Sequence, residues 1–585
     1  MPQKLLETIR LRTPVLLVPI AMAILFGSVL TGGSRLAFRD VSHFYTPLYR
    51  YVADRCTTEW LPLWNPLDAT GMPLAGETTT AVFYPLRYLL FQLPLATETL
   101  IGFYVVLHLI IAAGTATWAA KQSGGSKKFA SIAGVIYPLC GSVFFLHTNL
   151  PFLVGAAWLP IVLGALVARR NDEGSAISTK NRIVLSGFAL AMMVLGGDPQ
   201  TALHAVMVAS AAMLIRFCRT PRDPRVRKTL LSICAACVLA ALLAAPQIAA
   251  SMSWSMQSSR VMIDEADNWI SAPAIGSRRN EAYQFSLPPW HLAELVTPWA
   301  SGLLFPVHQR ISQVMPGDGR MWTPSIYVSM LGLIALLGRI KTRRQQPVDC
   351  WSVIAICSIG FSLGHFGLAW VVQQVGLFPN ADSAIGGPYW FLYQFFPFYD
   401  SYRYPVKWLP FFAIATAIIT AKWTESTALA WTTNERPHLP SQAKIARVVG
   451  VVIVLALSVT LGLLVVDKQP ASVSQIADEY WGPLQWQSGL RQLAWSLTHS
   501  LAVLLLISCL LFAPKSTIRI QANLRLGLIL FLLTLDLSVC NWPLIATTPR
   551  EAEQCLIAEQ QQAELQAGAT ALRMQAAAGW PTEWK

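Results

Sequence analysis

Residues 98–119 read ETLIGFYVVLHLIIAAGTATWA, and Lys121, Lys127 and Lys128 follow closely. The run carries one formal charge, Glu98, at its start. An apolar helix of about 17–25 residues spans the hydrocarbon core of a bilayer. Basic residues just past one end mark that end as cytoplasmic. Reading outward gives thirteen such runs, near 13–30, 98–119, 129–149, 151–169, 183–197, 201–217, 229–250, 324–340, 350–375, 405–421, 447–466, 494–513 and 523–541. The run at 183–197 is short, and 350–375 reads equally as a broken pair.

Composition agrees. The 585 residues are 54% hydrophobic and 13% charged, with a mean hydropathy of +0.46. An average soluble chain carries roughly 25% charged residues. A soluble enzyme, a coiled coil and a disordered regulator are excluded. A transmembrane barrel would alternate over about ten residues, and these runs are continuous. The expected fold is an all-α polytopic integral membrane protein of about 13 transmembrane helices.

The net charge of +13 is a topology signal rather than a nucleic-acid footprint. With the N-terminus inside, 27 of the 44 lysines and arginines fall on inner segments, with seven of the 31 acids. The excess of base lies inside and the excess of acid outside, so the chain reads N-in and C-out. Residues 1–12 form a cytoplasmic N-terminus, 13–541 the multi-span membrane domain, and 542–585 a short extracytoplasmic tail resembling one helix. The first run follows Lys4, Arg10 and Arg12 but lacks a clean cleavage site, so it reads as a retained span. Cys234 and Cys237 form a C-x-x-C inside a run without a second pair, and read as small apolar residues. Nothing in the sequence pairs Cys56 with Cys555.

The outer face is lopsided. Loops one (31–97), four (251–323) and five (376–404) are long and aromatic, whereas the inner loops are short and basic. Long irregular loops are commonly functional. In loop one, Asp40 lies about ten residues beyond the first run. It is placed to act as a general base on a hydroxyl acceptor, or to pair with Arg35 or Arg39. His43 follows by three, to orient a phosphate or acceptor, or simply to support the loop. Pro62 to Pro73 is a compact turn in which Asn65 and Asp68 contact an acceptor or cap turns, and Trp64 anchors at the interface or stacks a sugar.

Two polar interruptions sit within apolar sequence. GGDPQT at 196–201 places Asp198, Gln200 and His204 near the outer boundary, with Gln200 and His204 on one helical face of a lined cavity; a plain turn also explains it. Gln247, after Pro246, is similar. Arg403 and Lys407, four apart, are expected on one helix face. There they meet an anionic group at headgroup level, or pair with Asp400 and snorkel.

Taken in order, these pieces resemble the YfhO-like bacterial membrane proteins, within the GT-C superfamily of polyprenyl-phosphate-sugar glycosyltransferases. The resemblance spans about residues 20–545. It rests on Phe38-Arg39-Asp40 with His43 to Pro47, PLWNPLDATGMPLAGE at 62–77, VFYPLRYLL at 82–90, GGDPQTALH at 196–204, AAPQ at 244–247 and FSLPPWHLAELVTPW at 285–299. Further pieces are IYVSMLGLIAL at 326–336, SLG at 362–364, PFYDSYRYPVKWL at 397–409 and TLDLSV at 534–539. No single piece is specific; the order and spacing carry the resemblance.

It implies a GT-C-like fold in a bacterial cytoplasmic membrane and a polyprenyl phosphate carrying one sugar as donor. The implied acceptor is an envelope polymer, glycolipid or protein, and transfer inverts the anomeric carbon. Asp40 matches the implied base, and Arg403 and Lys407 would stabilise the departing phosphate. Asp68, His43 or Glu77 would orient the acceptor or hold a divalent cation; no ion is assigned. Membrane lipid is the other partner, and nucleic acid is not one. The chain departs from the family in carrying Arg39 where a glycine follows Phe, and in its short tail. A flippase of lipid-linked glycans and a non-catalytic envelope assembly protein are the rival readings. A flippase would need paired broken helices, and the sequence offers one candidate, at 196–201.

Overall fold

A computed structural model describes residues 16–66, 71–168, 177–256, 268–306, 309–315, 322–342, 349–397, 399–432, 440–466, 477–478, 482–512 and 521–551. A helix falls on each of the thirteen expected runs. They are α1 (Leu16–Leu25), α2 (Thr97–Gln122), α3 (Ala130–Leu139), α4 (Leu150–Leu166), α5 (Thr179–Leu195), α6 (Pro199–Arg219) and α7 (Pro224–Leu243). Then come α8 (Ser329–Thr342), α9 (Cys350–Ser362), α10 (Leu409–Thr432), α11 (Pro440–Val466), α12 (Trp486–Phe512) and α13 (Ala522–Asn541).

Seven of these regions are long and apolar enough to cross a membrane: α2, α6, α7, α10, α11, α12 and α13. An eighth is a bent pair, α3 with Gly141–Thr148, turned by 54°. The chain is therefore an all-α polytopic membrane protein, with seven to eight spans of that length among the described residues. The expected thirteen crossings go beyond this number, because α1, α4, α8 and α9 are apolar but short and α5 has only 17 residues. The run at 350–375 resolves into α9 and a short helix, Leu368–Gln373, as the broken-pair reading allows. Of the tail, 542–551 is described, and 552–585 lies outside the described residues.

Local chemistry sets the boundaries. Asp198 and Asp223 cap α6 and α7, each followed by proline in the first turn. A capping carboxylate satisfies an orphan N–H, and proline there loses no hydrogen bond. The bend after α3 follows Pro138. At the bend, Gly141 donates its N–H to the Tyr327 carbonyl at 3.1 Å. A β-carbon on Gly141 would lie 2.5 Å from Ser325 Oγ, so only glycine lets the bend seat against 325–327.

Helix α10 is the central post. Of its apolar window, 94% is buried inside the protein, against 17% for α11. Lipid gives helices no hydrophobic reason to associate, so small residues and close packing must do it. Ala413, Ala415, Ala417 and Ala421 on α10 are fully buried accordingly. Thr420 there returns its hydroxyl to the Thr416 carbonyl at 2.7 Å, so its polar atom is satisfied within the helix.

Among the described residues, six short strands form three antiparallel pairs: β1 (Ser34–Leu36) with β6 (Thr547–Pro549), β2 (Trp64–Asn65) with β3 (Met72–Pro73), and β4 (Ala477–Asp478) with β5 (Gly482–Pro483). The first pair joins the residues after α1 to those after α13, with Arg35 opposite Thr548. Loop one lies against the bundle through Tyr84. Its hydroxyl meets His108 Nε2 on α2 at 2.8 Å and accepts from the Trp158 indole on α4 at 3.0 Å.

Candidate functional site

Asp40 stands at the start of a single π turn, Val41–Tyr45, that runs into the helix Thr46–Arg55. The Thr46 backbone N–H donates to the Val41 carbonyl, five residues back. That is the π register, which recurs at functional sites. Asp40 is solvent-exposed. Its Oδ2 accepts from Asn149 Nδ2 at 3.1 Å, and among the described residues Asp40 makes no ion pair. The neighbouring Arg39 turns away from it. Its guanidinium donates to the Trp322 carbonyl at 2.6 Å and lies over the Phe38 and Phe145 rings. Burial pulls Arg39 down to about 10, with the Asp40 charge acting the other way, so it stays a cation at neutral pH.

Asn149 was not singled out by the sequence reading. Its Oδ1 caps α4 by accepting from the Phe152 N–H at 3.4 Å, while its Nδ2 holds Asp40. One amide thus fixes the carboxylate to a helix start. The signal was present as Asn149-Leu150-Pro151, an N-cap residue with proline in the first turn.

Glu77 caps the turn Thr78–Thr80, accepting from the Thr79 N–H at 3.2 Å and its hydroxyl at 2.9 Å. Burial, and then the charges of Asp40, Glu77 and Tyr404 among others, raise the Tyr45 phenol well above its ordinary range. Gln247 donates to the Ala75 carbonyl and to Ser251 Oγ, both at 2.8 Å, and Ser251 donates to the Gly76 carbonyl. Its place is to pin the loop before Glu77. Asn65 is buried in β2, opposite Met72. His43 is exposed on the π turn. Asp68 lies outside the described residues.

Around α6, buried Asp198 accepts from the Thr201 N–H and hydroxyl, at 3.1 and 2.5 Å, and from Lys407 Nζ at 3.0 Å. Gly155 on α4 permits this: a β-carbon there would lie 2.2 Å from Asp198 Oδ2. Lys407 Nζ also sits 3.4 Å from the Phe152 ring centre. Gln200 donates to the Arg403 carbonyl at 2.7 Å. His204 meets the Tyr399 hydroxyl at 2.8 Å and stacks on Trp408. Gln200 and His204 thus share the segment 399–408, packed against it rather than lining an open cavity.

The expectation that Arg403 and Lys407 share a helix face is corrected. Residues 402–404 are not helical, and Tyr404 takes a left-handed φ of 67°. The two bases therefore diverge. Arg403 pairs with Glu281 at 3.0 Å, both side chains 29% exposed, and Lys407 turns inward to Asp198. Asp400 pairs with Arg278, at 3.6 Å, instead.

Aromatic packing joins these parts. Phe152 touches Trp322, which stacks on Tyr404, and Phe285 packs on both. Arg39, Phe285 and Tyr404 all have positive φ, uncommon for residues with a β-carbon. Such strain gathers where surrounding structure over-determines a functional geometry. Arg310, near Arg39, donates to the Leu303 and Leu304 carbonyls at 2.9 and 2.7 Å. Burial and the Arg39 charge pull it down to about 10.

A divalent cation stayed open in the sequence at Asp68, His43 or Glu77. The group of described residues able to hold one lies elsewhere, at His499, Asp536 and Cys540, whose ligand atoms fall within 4.8 Å of one another.

No family model matches the chain, and no curated protein matches it. Two solved structures are similar to it, those of ArnT from Cupriavidus metallidurans bound to undecaprenyl phosphate and in the apo state. Identity is 13% and 14%, the TM-score is 0.48 for both, and each match covers 93% of this chain and 79% of the other. A likeness this distant assigns no residue here.

Proposed function

We propose that this chain is an inverting glycosyltransferase of the bacterial cytoplasmic membrane. It moves a sugar from a polyprenyl-phosphate donor to an envelope polymer, glycolipid or protein at the outer face. One observation carries the reading: the Asp40 carboxylate is exposed, is held by a single amide, and has no ion pair among the described residues. A purely structural aspartate at this place would be spent on Arg35 or Arg39. An oriented carboxylate with a free oxygen is what a general base requires.

In this reading the acceptor hydroxyl gives its proton to Asp40 as its oxygen attacks the anomeric carbon. The bond from the anomeric carbon to the phosphate oxygen breaks on the opposite side, and the lipid phosphate leaves with that oxygen and the electron pair. Arg39 and Arg310 supply positive field near the base. Arg403, partly exposed, can meet the phosphate in competition with Glu281. Lys407, buried on Asp198, positions the 405–408 turn. His43 and Glu77 flank the acceptor side. All thirteen helices belong to the membrane domain, the N-terminus is inside, and loops one, four and five lie outside. The sequence resemblance to the YfhO-like family supports the donor class.

The test uses purified protein in nanodiscs with radiolabelled polyprenyl-phosphate sugars and a crude envelope acceptor. Transfer by the wild type that Asp40→Asn abolishes is the expected result. Equal transfer by both removes Asp40 as base. No transfer by folded wild type across the common donors, with a competent acceptor, overturns the glycosyltransferase reading.

A further inference from the structure

We propose that His499 on α12 and Asp536 and Cys540 on α13 form a site for a zinc-type divalent transition metal, remote in role from the Asp40 chemistry. Asp536 and Cys540 are four apart on one helix and share a face. His499 meets them from the adjacent helix. The three ligand atoms converge: His499 Nε2 is 2.8 Å from Asp536 Oδ1 and 3.5 Å from Cys540 Sγ, and Sγ is 3.7 Å from the same Oδ1.

A bare His–Asp hydrogen bond explains only the first distance. The same Nε2 also faces the thiol, and the thiol in turn points at the same Asp536 oxygen, so the three ligand atoms surround one centre. A tetrahedral zinc accounts for the two sulfur distances directly and for the third after a small opening. With metal–sulfur about 2.3 Å and metal–nitrogen or –oxygen about 2.0–2.1 Å, the edges of the tetrahedron are about 3.3–3.6 Å. The sulfur edges already match, and the nitrogen–oxygen edge needs about half an ångström of opening. An imidazole with a thiolate selects a borderline or soft metal over magnesium or calcium. Binding releases the Cys540 thiol proton to solvent.

The surroundings hold the ligands in place. Asp536 also lies within reach of the Tyr327 hydroxyl, at 3.3 Å. The Cys540 carbonyl accepts from the Trp299 indole at 3.0 Å, and the Trp299 N–H donates to buried Glu294 at 2.9 Å. Asp536 and Cys540 are buried, and His499 is half-buried, which leaves the fourth position to a water on the His499 side. The next residue, Asn541, donates to the Leu139 carbonyl at the end of α3, at 2.6 Å. The chain then runs into β6 and its pairing with β1, four residues ahead of Asp40. A metal here would clamp α12 to α13 and brace the strand leading to Asp40.

The experiment measures metal content of full-length protein purified without chelator, then the absorption spectrum after chelation and addition of cobalt(II). About one zinc-class metal per chain and a thiolate-to-cobalt charge-transfer band are expected. Cys540→Ser should abolish the band, and His499→Ala and Asp536→Asn should weaken metal binding at least tenfold. Cys218→Ser, at an exposed cysteine, should leave both unchanged. Wild-type protein with neither bound metal nor a band overturns the site, and so does a band that survives Cys540→Ser. Both wild-type readouts are independent of whether a variant folds and of any glycosyl transfer.

Discussion

Lys407 and Asp198 form a buried ion pair at 3.0 Å, with side chains 8% and 1% exposed. Removing one partner strands the other charge away from water. That costs about 3–5 kcal/mol, whereas replacing both with neutral residues is often near neutral. The two single losses differ in what remains. After Lys407→Met, Asp198 still accepts from the Thr201 N–H and hydroxyl, so its charge is partly satisfied. After Asp198→Asn, Lys407 keeps the Phe152 ring at 3.4 Å, a contact worth about 2 kcal/mol when desolvated; asparagine also preserves the α6 cap. Each single variant should lose about 3 kcal/mol, at the low end of the range. The double variant should lose much less than their sum. The assay is equilibrium unfolding in mixed detergent micelles, read as a double-mutant cycle with an expected coupling of about 3 kcal/mol. Additivity within about 0.5 kcal/mol would refute the pairing.

Three further outcomes follow. Asn149→Ala should lower transfer at least tenfold by releasing Asp40, and cost about 1 kcal/mol from the lost α4 cap; unchanged turnover in the donor-release assay would remove Asn149 from the site. Gly155→Ala should destabilise by about as much as the loss of Lys407, since its methyl would lie 2.2 Å from Asp198 Oδ2; a neutral midpoint in the same unfolding assay would contradict the packing. His291 is buried in loop four without a hydrogen-bond partner on either ring nitrogen, and burial lowers it from 6.5 to about 4. Because the unfolded chain binds the proton more readily, stability should be unaffected above pH 6.5. It should fall by about 3 kcal/mol as the pH drops to 4. His291→Phe should remove that share of the slope in pH-dependent unfolding, and an unchanged slope would count against the burial argument.

What the sequence made legible was mostly local. The apolar runs, the break at 350–375 and the turn at 196–201 all depend on residues within a turn or two of one another. The Pro138 bend was hidden because the run at 129–149 stays apolar through it; apolarity reports a bilayer or a core equally. The partners of the site residues were not legible. Arg403 and Glu281 are 122 positions apart, and Lys407 and Asp198 are 209 apart. The expectation that Arg403 and Lys407 act together assumed a helix, which Tyr404 at φ 67° denies. Asn149 was missed because an asparagine before a proline-containing helix start explains itself as a cap, and its second bond needs loop one folded beside it.

The arrangement also bears on why Asp40 stays exposed beside an arginine. In loop one, a flexible Arg39 would close on its neighbour and neutralise it. The left-handed turn at Arg39, φ 57°, and the Trp322 carbonyl direct the guanidinium elsewhere, onto the rings of Phe38 and Phe145. Trp322 is itself held by Phe152 and Tyr404, which also flank Lys407 and Arg403. The strain at 39 keeps Arg39 off Asp40, and the strain at 404 sends Arg403 and Lys407 to separate partners, Glu281 and Asp198. Arg39→Gly, the residue the resembled family carries there, relieves the strain and removes the cation together. If positive field beside the base assists departure of the phosphate, this variant should be more stable yet slower in transfer. Equal or faster transfer would place the assisting charge at Arg403 instead.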